Sequence, residues 1–342
     1  MNHWLKRSAA LTGLMLSTLA LVGCETLEGG VTNQAIRQVE KKVAPQVLKG
    51  DDVNMGCMHT VALAPLITGL RGFYGDPSLM ESVMYSSAAV CAETDAAQEE
   101  LRYLRAQRDK RPDEALDARI AQKRLLERTT RRQLAAFQTM RDKLEKRYDF
   151  KYGESCPRFR RDFDELVYLL GGIAGLQAVQ NDMAAQQVVG VPTDLPPKTD
   201  FAMRCLDNAK WWGAPLAARA VVWSMIPGGT EGKDPQGAFD LAMGIGERQG
   251  VRVAHAMAAV AAVSADDRNR MREVMRRFAG VQNFRQSSDY RFVDEIAINM
   301  MQIISDRYWT EATGMRTPVG GLGKFWDDPK SRPAGNTDQF LN

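Results

Sequence analysis

Residues 54–93, NMGCMHTVALAPLITGLRGFYGDPSLMESVMYSSAAVCAE, decide the fold class of this chain. Apolar side chains recur three and four positions apart on both sides of the turn at Gly75-Asp76-Pro77, which is the spacing of one face of an α-helix. Aspartate can cap a helix, and proline is tolerated at the first helical position. The stretch therefore predicts two antiparallel helices, at 54–72 and 78–93, joined by a tight turn.

Helical spacing continues along the rest of the chain. Asp234-Pro235 repeats the helix opening, three prolines within 188–199 predict a loop, and no convincing strand alternation appears. We therefore predict an all-α fold of stacked antiparallel helix pairs, either a tetratricopeptide-like α-solenoid or a compact helical array, with a hydrophobic cavity or groove. The helical domain is placed at 51–316. An irregular tail is placed at 317–342.

A lipoprotein-like signal lies at the N-terminus. Lys6 and Arg7 precede an apolar run that is too short to span a bilayer well and ends in Leu21-Val22-Gly23-Cys24. This pattern resembles the lipobox of bacterial lipoproteins. The resemblance implies that residues 1–23 are a cleaved signal peptide and that Cys24 is acylated. The alternative is an ordinary secretory signal with a chance cysteine.

Lipidation sets the expected location and chemistry. Glu25 follows the acylated cysteine, and the sorting rules of Gram-negative lipoproteins then imply the outer membrane, with the protein facing the periplasm. Residues 24–50 would form the lipidated N-terminus and tether, and the lipid would be the membrane attachment. The periplasm is oxidising and lacks ATP, so disulfides are allowed and nucleotide-driven work is not.

Four cysteines follow Cys24 in the sequence, and four cysteines permit three pairings. If the two helices at 54–93 are antiparallel, Cys57 near the start of one lies beside Cys91 near the end of the other. We therefore predict a Cys57–Cys91 disulfide. By elimination, Cys156 pairs with Cys205.

Metal and catalytic motifs are weak in this chain. After removal of the signal peptide only His59 and His255 remain as histidines, and no Cys-x-x-Cys spacing occurs, so no metal site and no cofactor are predicted. Neither Gly-x-Ser-x-Gly nor His-Glu-x-x-His is present. Glu154-Ser155 resembles the catalytic glutamate before serine in lytic transglycosylases. A peptidoglycan-acting enzyme is therefore kept as the least favoured function.

Charge is concentrated in one segment. Removing Lys6 and Arg7 with the signal lowers the formal net charge from +3 to +1, which argues against a nucleic-acid partner. Residues 101–151, in contrast, hold sixteen Lys or Arg against eight Asp or Glu. We interpret them as a basic helical hairpin insertion, either packed by one face or offering a surface to anionic lipid headgroups or an acidic partner. The residues proposed for that surface are Arg124, Arg128, Arg131 and Arg132.

Adaptable apolar side chains are abundant. The chain has 17 methionines, and several of them fall with tryptophans on consecutive helical segments rich in small residues. Such residues either fill a core or line a pliable hydrophobic cavity. The predicted ligand-binding residues are Phe73, Met84, Trp211, Trp212, Trp223, Met225, Phe239, Met243 and Met257.

Two groups of motifs resemble one family. Ala64-Pro65-Leu66-Ile67-Thr68-Gly69-Leu70, Asp76-Pro77-Ser78-Leu79-Met80 and Tyr85-Ser86-Ser87-Ala88-Ala89 are similar to the opening helix pair of the T component of TRAP transporters. Lys210-Trp211-Trp212-Gly213-Ala214, followed by Asp234-Pro235, looks like that family's aromatic-Trp-Gly-Ala helix and its sequel. The basic segment and the paired cysteines depart from the family.

The resemblance implies a lipoprotein of helix pairs around a hydrophobic pore or groove, working beside a periplasmic binding protein or an inner-membrane transporter. Relatives of this kind are also associated with lipid and sterol transport. We therefore expect a non-enzymatic transport component that binds or relays a hydrophobic small molecule or lipid. A helical interaction scaffold of an envelope complex is the alternative.

Overall fold

A computed structural model describes residues 29–226 and 228–329. These residues form an all-α fold without strands, as predicted. The chain is helical from residue 29, passes through a π-helical stretch at Val39–Val43 and continues into the first α-helix. The α-helices are α1 (Ala44–Leu48), α2 (Val53–Gly69), α3 (Ser78–Arg108), α4 (Pro112–Tyr148), α5 (Asp162–Ala184), α6 (Leu195–Arg204), α7 (Ala214–Met225), α8 (Pro235–Gln249), α9 (Val253–Ser264), α10 (Arg268–Gly280) and α11 (Arg291–Thr313).

Helices that follow one another in sequence pack together, and the last helix closes the array. α3 packs on α4, α4 on α5, α7 on α8 and α9 on α10, while α11 returns to contact α3 and α9. Short loops favour such antiparallel neighbours. The main core includes residues of α5, α7 and α9, and small side chains such as Ala217 of α7 and Ala254 of α9 let the packed pair α7 and α9 approach closely.

The helix predicted at 78–93 is longer in the structure. α3 runs on to Arg108 because the residues after Glu93 are helix formers without a glycine or proline. Lys110, with φ 57°, turns the chain, and Pro112 opens α4, since proline is tolerated at the first helical position. The basic segment at 101–151 therefore comprises the end of α3 and all of α4, and α4 packs along both α3 and α5.

Both predicted disulfides are confirmed. The Cα atoms of Cys57 and Cys91 lie 5.7 Å apart, and those of Cys156 and Cys205 lie 5.4 Å apart. The first bond joins the N-terminal end of α2 to α3. The second joins Cys156, in the loop after α4, to Cys205, which directly follows α6. Cys24 and the predicted signal peptide lie outside the described residues.

The chain after α11 is irregular as far as residue 329. Phe325 is nevertheless buried, and the Arg272 guanidinium carbon lies 4.5 Å from its ring centre and 5.1 Å from that of Trp326. The tail therefore packs onto α10 through these two aromatic residues. Residues 330–342 of the predicted tail lie outside the described residues.

Candidate functional site

Most of the side chains predicted to bind a ligand belong to the packed core. Trp211, Trp212, Phe239 and Met243 are almost fully buried. The indole N–H of Trp211 donates to Glu165 Oε1 at 2.7 Å, and such partners fix these rings in place. Others are placed as follows: Met84 and Met257 are buried, Met225 is half-buried, and Phe73 is exposed at the end of the 3₁₀ turn that follows α2.

Trp223, also a member of that set, lies beside an opening. It lines a recess of about 360 Å³ between α6, α7 and the loop that follows α7. Val222, Phe201 and Ile226 supply apolar wall, and Asp200, Arg204 and Lys233 add charged side chains to the lining. Trp223 was predicted from the sequence, but the lining residues on α6 and in the loop after α7 were not. Those residues come close to Trp223 only through tertiary packing.

Asp200 fixes the tryptophan ring. Its Oδ1 accepts hydrogen bonds from the indole N–H of Trp223 at 2.8 Å and from Arg219 Nε at 3.1 Å, and Oδ2 accepts one from Arg204. Burial alone would raise the pKa of Asp200, but these hydrogen bonds outweigh burial and lower its pKa below the ordinary value. The carboxylate thus stays charged and holds the ring in one orientation.

Two cations flank the ring of Trp223. The Arg219 guanidinium carbon lies 4.9 Å from the ring centre and the Lys233 ammonium 5.4 Å from it. Cations attract an aromatic face and also anionic groups brought near it. Arg204 is already paired with Asp200, so the recess offers an apolar wall beside Lys233 to an amphiphile with a negatively charged head.

The second disulfide shapes this recess. Cys156–Cys205 ties the loop at 151–157 to the end of α6, and Gly153 of that loop contributes to the recess lining. Gly153 has φ +80° and lies against Lys198 of α6, where a Cβ atom would meet the Lys198 side chain at 2.5 Å. Glycine is therefore required at this contact.

Glu154 lies on the other side of the same loop. It lines a groove of about 480 Å³ whose walls carry mostly charged side chains, among them Asp142, Glu145 and Lys198. Glu154 is exposed to solvent. A carboxyl that acts as an acid at neutral pH has to be shielded from water, so this placement does not favour a catalytic role.

The basic residues predicted on α4 divide into two groups. Arg124, Arg128 and Arg131 are exposed, and Arg131 pairs with Glu127 at 2.9 Å. Arg132 instead turns toward α3 and donates to the carbonyl oxygen of Ala88. Burial, and then the neighbouring Arg128, lowers the pKa of Arg132. Three of the four guanidinium groups therefore lie on an exposed surface.

The apolar residues that recur along α2 are exposed on its outer side. Cys57 is its one buried residue, while Met55, Met58, Val61, Leu63 and Leu66 are exposed. By length and composition Val53–Phe73 could cross a membrane. Apolar spacing of three and four residues is the same for a covered helix face and an uncovered one, so the sequence did not indicate that this face is exposed.

No protein-family model, curated protein or solved structure matches this chain. Among the described residues, no group of three or more His, Cys, Asp or Glu side chains is arranged to hold a metal ion.

Proposed function

We propose that this protein is a lipid-anchored lipoprotein of the periplasmic face of the outer membrane, a non-enzymatic transport component that binds an amphiphilic lipid or a similar hydrophobic molecule. The observation that carries the proposal is the recess at Trp223, where an apolar wall adjoins the Lys233 ammonium. The lipobox-like sequence and the partial resemblance to the T component of TRAP transporters support it. Binding and release of such a ligand need exclusion from water and no covalent chemistry.

A probe titration tests the recess. A fluorescent fatty acid is added to the soluble chain from residue 25, and displacement by unlabelled fatty acid is recorded. Ile226→Asp places negative charge in the recess wall and is expected to weaken binding at least about tenfold, since about 1.4 kcal/mol suffices for that change. Leu241→Asp, at an exposed apolar position on α8, is the matched control and should bind like the wild type. Equal affinity of both variants would contradict the proposal.

An interaction scaffold is the second candidate. It is favoured by the packing of Trp211, Trp212, Phe239 and Met243 inside the core, because a conduit lined by these residues would need space beside them. A protein that binds no fatty acid but co-purifies with one envelope complex in stoichiometric amount would support this candidate.

A peptidoglycan-acting enzyme is not proposed. Glu154 is solvent-exposed in a groove rich in charged side chains. We therefore expect Glu154→Gln to leave peptidoglycan turnover unchanged, as measured by release of labelled muropeptides. Loss of turnover in that variant, with the fold intact by circular dichroism, would reverse this assignment.

A further inference from the structure

The outer surface of α2 is the largest unexplained feature of the molecule. We call it the α2 face and define it by Met55, Met58, Val61, Leu66 and Phe73. Each of these side chains is exposed, and Leu66 is exposed by 68%. Scattered apolar residues are normal on a protein surface, but several large ones exposed along one helix and the turn that follows it indicate a site that another apolar phase covers.

Both ends of α2 are fixed to the body of the protein. At the N-terminal end, Cys57 is bonded to Cys91 of α3, and Gly56 fits against the ring of Phe292 of α11. At the C-terminal end, Arg71 pairs with the buried Glu81 near the start of α3. A helix held at both ends against α3 lies along the surface of the fold, so its apolar outer side faces away from the body.

The start of the described chain lies beside the C-terminal end of α2. Gly29 is packed against Tyr74, and the Asn33 side chain donates to the Tyr74 carbonyl oxygen at 3.4 Å and accepts from the Asp76 N–H at 3.0 Å. Cys24 precedes Gly29 by five residues. Even a fully extended chain of that length reaches only about 17 Å. Acyl chains on Cys24 would therefore hold this end of the α2 face close to the bilayer.

The helical segment that follows Gly29 carries exposed positive charge and exposed apolar side chains. Lys41 and Lys42 are exposed on the N-terminal helical segment, and Val43 and Val47 beside them are exposed and apolar. Lysines next to apolar residues are typical of segments that lie in the headgroup region of anionic membranes.

We propose that the α2 face is a membrane-docking surface that lies in the plane of the bilayer to which Cys24 is anchored, with its apolar side chains in contact with lipid acyl chains. The lipid would then fix the orientation of the protein as well as its location. This inference rests on lipidation of Cys24 and is independent of the recess at Trp223.

Photo-crosslinking of the full lipoprotein tests the proposal. The lipidated protein is placed in vesicles of phosphatidylethanolamine and phosphatidylglycerol with p-benzoylphenylalanine at Leu66, or at Leu241 as a matched exposed control. Both side chains are exposed, so neither replacement is expected to disturb the fold, and circular dichroism checks this. The mass of the N-terminal peptide verifies acylation of Cys24.

With the probe at residue 66, a phospholipid adduct on the peptide that contains this residue is expected. With the probe at residue 241, no phospholipid adduct is expected on the peptide that contains residue 241. Absence of lipid adducts at residue 66, or an unacylated Cys24, would overturn the proposal. Crosslinking of residue 66 to a second copy in vesicles, or to another protein in intact cells without a lipid adduct, would also overturn it and assign the α2 face to a protein partner.

Discussion

Asp294 and Arg252 form a buried ion pair that anchors α11 to the start of α9. Asp294 is fully buried and accepts hydrogen bonds from the Arg252 backbone N–H and guanidinium, each at 2.7 Å, while the rings of Phe278 and Phe284 flank the guanidinium at about 4 Å. Removing one partner of such a pair leaves a buried charge. We expect Asp294→Ala to lower the free energy of unfolding by about 3–5 kcal/mol, measured by urea unfolding.

An exposed pair in the same region is the control. Arg291 contacts Asp51 at 3.0 Å, and both side chains are largely in solvent. Asp51→Ala should therefore cost no more than about 1 kcal/mol. If both substitutions cost the same, the buried pair does not stabilise the fold as argued.

His255 should make stability depend on pH. Burial lowers the pKa of His255 to about 4, although Glu247 Oε1 lies 3.0 Å from its Nε2 and acts in the opposite direction. The unfolded histidine has a pKa of about 6.5, so between these values the unfolded chain binds a proton that the folded protein does not. The contribution of neutral, buried His255 to the free energy of unfolding is therefore fully present above about pH 6.5 and is lost as the pH drops toward 4.

Titration of His255 is expected to make the free energy of unfolding about 2 kcal/mol lower at pH 5 than at pH 7. Urea unfolding of the wild type and of His255→Gln at both pH values measures it, because the variant lacks this titration and should lose correspondingly less stability. An equal loss in both proteins would mean that another group titrates.

Among the single helices, α2 should depend on the Cys57–Cys91 disulfide for its attachment to α3. The core helices should not depend on this bond. Cys57 is the one buried residue of α2, so little apolar contact is lost when the bond is absent. We expect the Cys57→Ser, Cys91→Ser double variant to lose hydrogen-exchange protection in α2 while α9 keeps its protection. The global cost should lie at or below the lower end of the usual range of about 2–4 kcal/mol. Equal loss of protection in α2 and α9 would show that α2 is part of the cooperative core.

The exposed arginines of α4 should contribute to membrane binding through charge. Replacing Arg124, Arg128 and Arg131 by glutamine is expected to weaken cosedimentation of the soluble chain with anionic vesicles, by up to about 1 kcal/mol for each residue and less at high salt. Arg132 is left unchanged because its guanidinium bonds the Ala88 carbonyl oxygen. The control removes equal charge on α10 at Arg268, Arg272 and Arg276, which are paired with carboxylates. If the α4 and α10 variants lost vesicle binding equally, the exposed arginines of α4 would have no specific part in membrane binding.

Helix periodicity predicted the pairing of Cys57 with Cys91 because a tight turn between two helices fixes which residues lie side by side. The same periodicity assigned Leu66 and Phe73 to an apolar helix face but gave no information about what covers that face. The orientation of Arg132 toward Ala88 was missed for a related reason, since rotation of α4 about its axis is set by packing on α3 and α5.

At the scale of the whole molecule, the tryptophan and methionine content was compatible with either a filled core or a cavity. Composition cannot separate these cases, because both need large apolar side chains on neighbouring helices. The structure fills the space around Trp212 and Met243 and leaves an opening at Trp223, between α6, α7 and the loop after α7, beside the loop held by Cys156–Cys205.

Native mass spectrometry with organic extraction tests whether the recess at Trp223 binds an amphiphilic ligand. The chain from residue 25 is expressed behind a cleavable secretory signal in the periplasm of a Gram-negative host and purified without detergent, as the wild type and as Ile226→Asp. The account predicts a recurrent amphiphilic adduct of one mass on the wild type, and its loss in the variant. A clean wild-type protein, or an adduct retained unchanged by Ile226→Asp, would contradict ligand binding at the Trp223 recess.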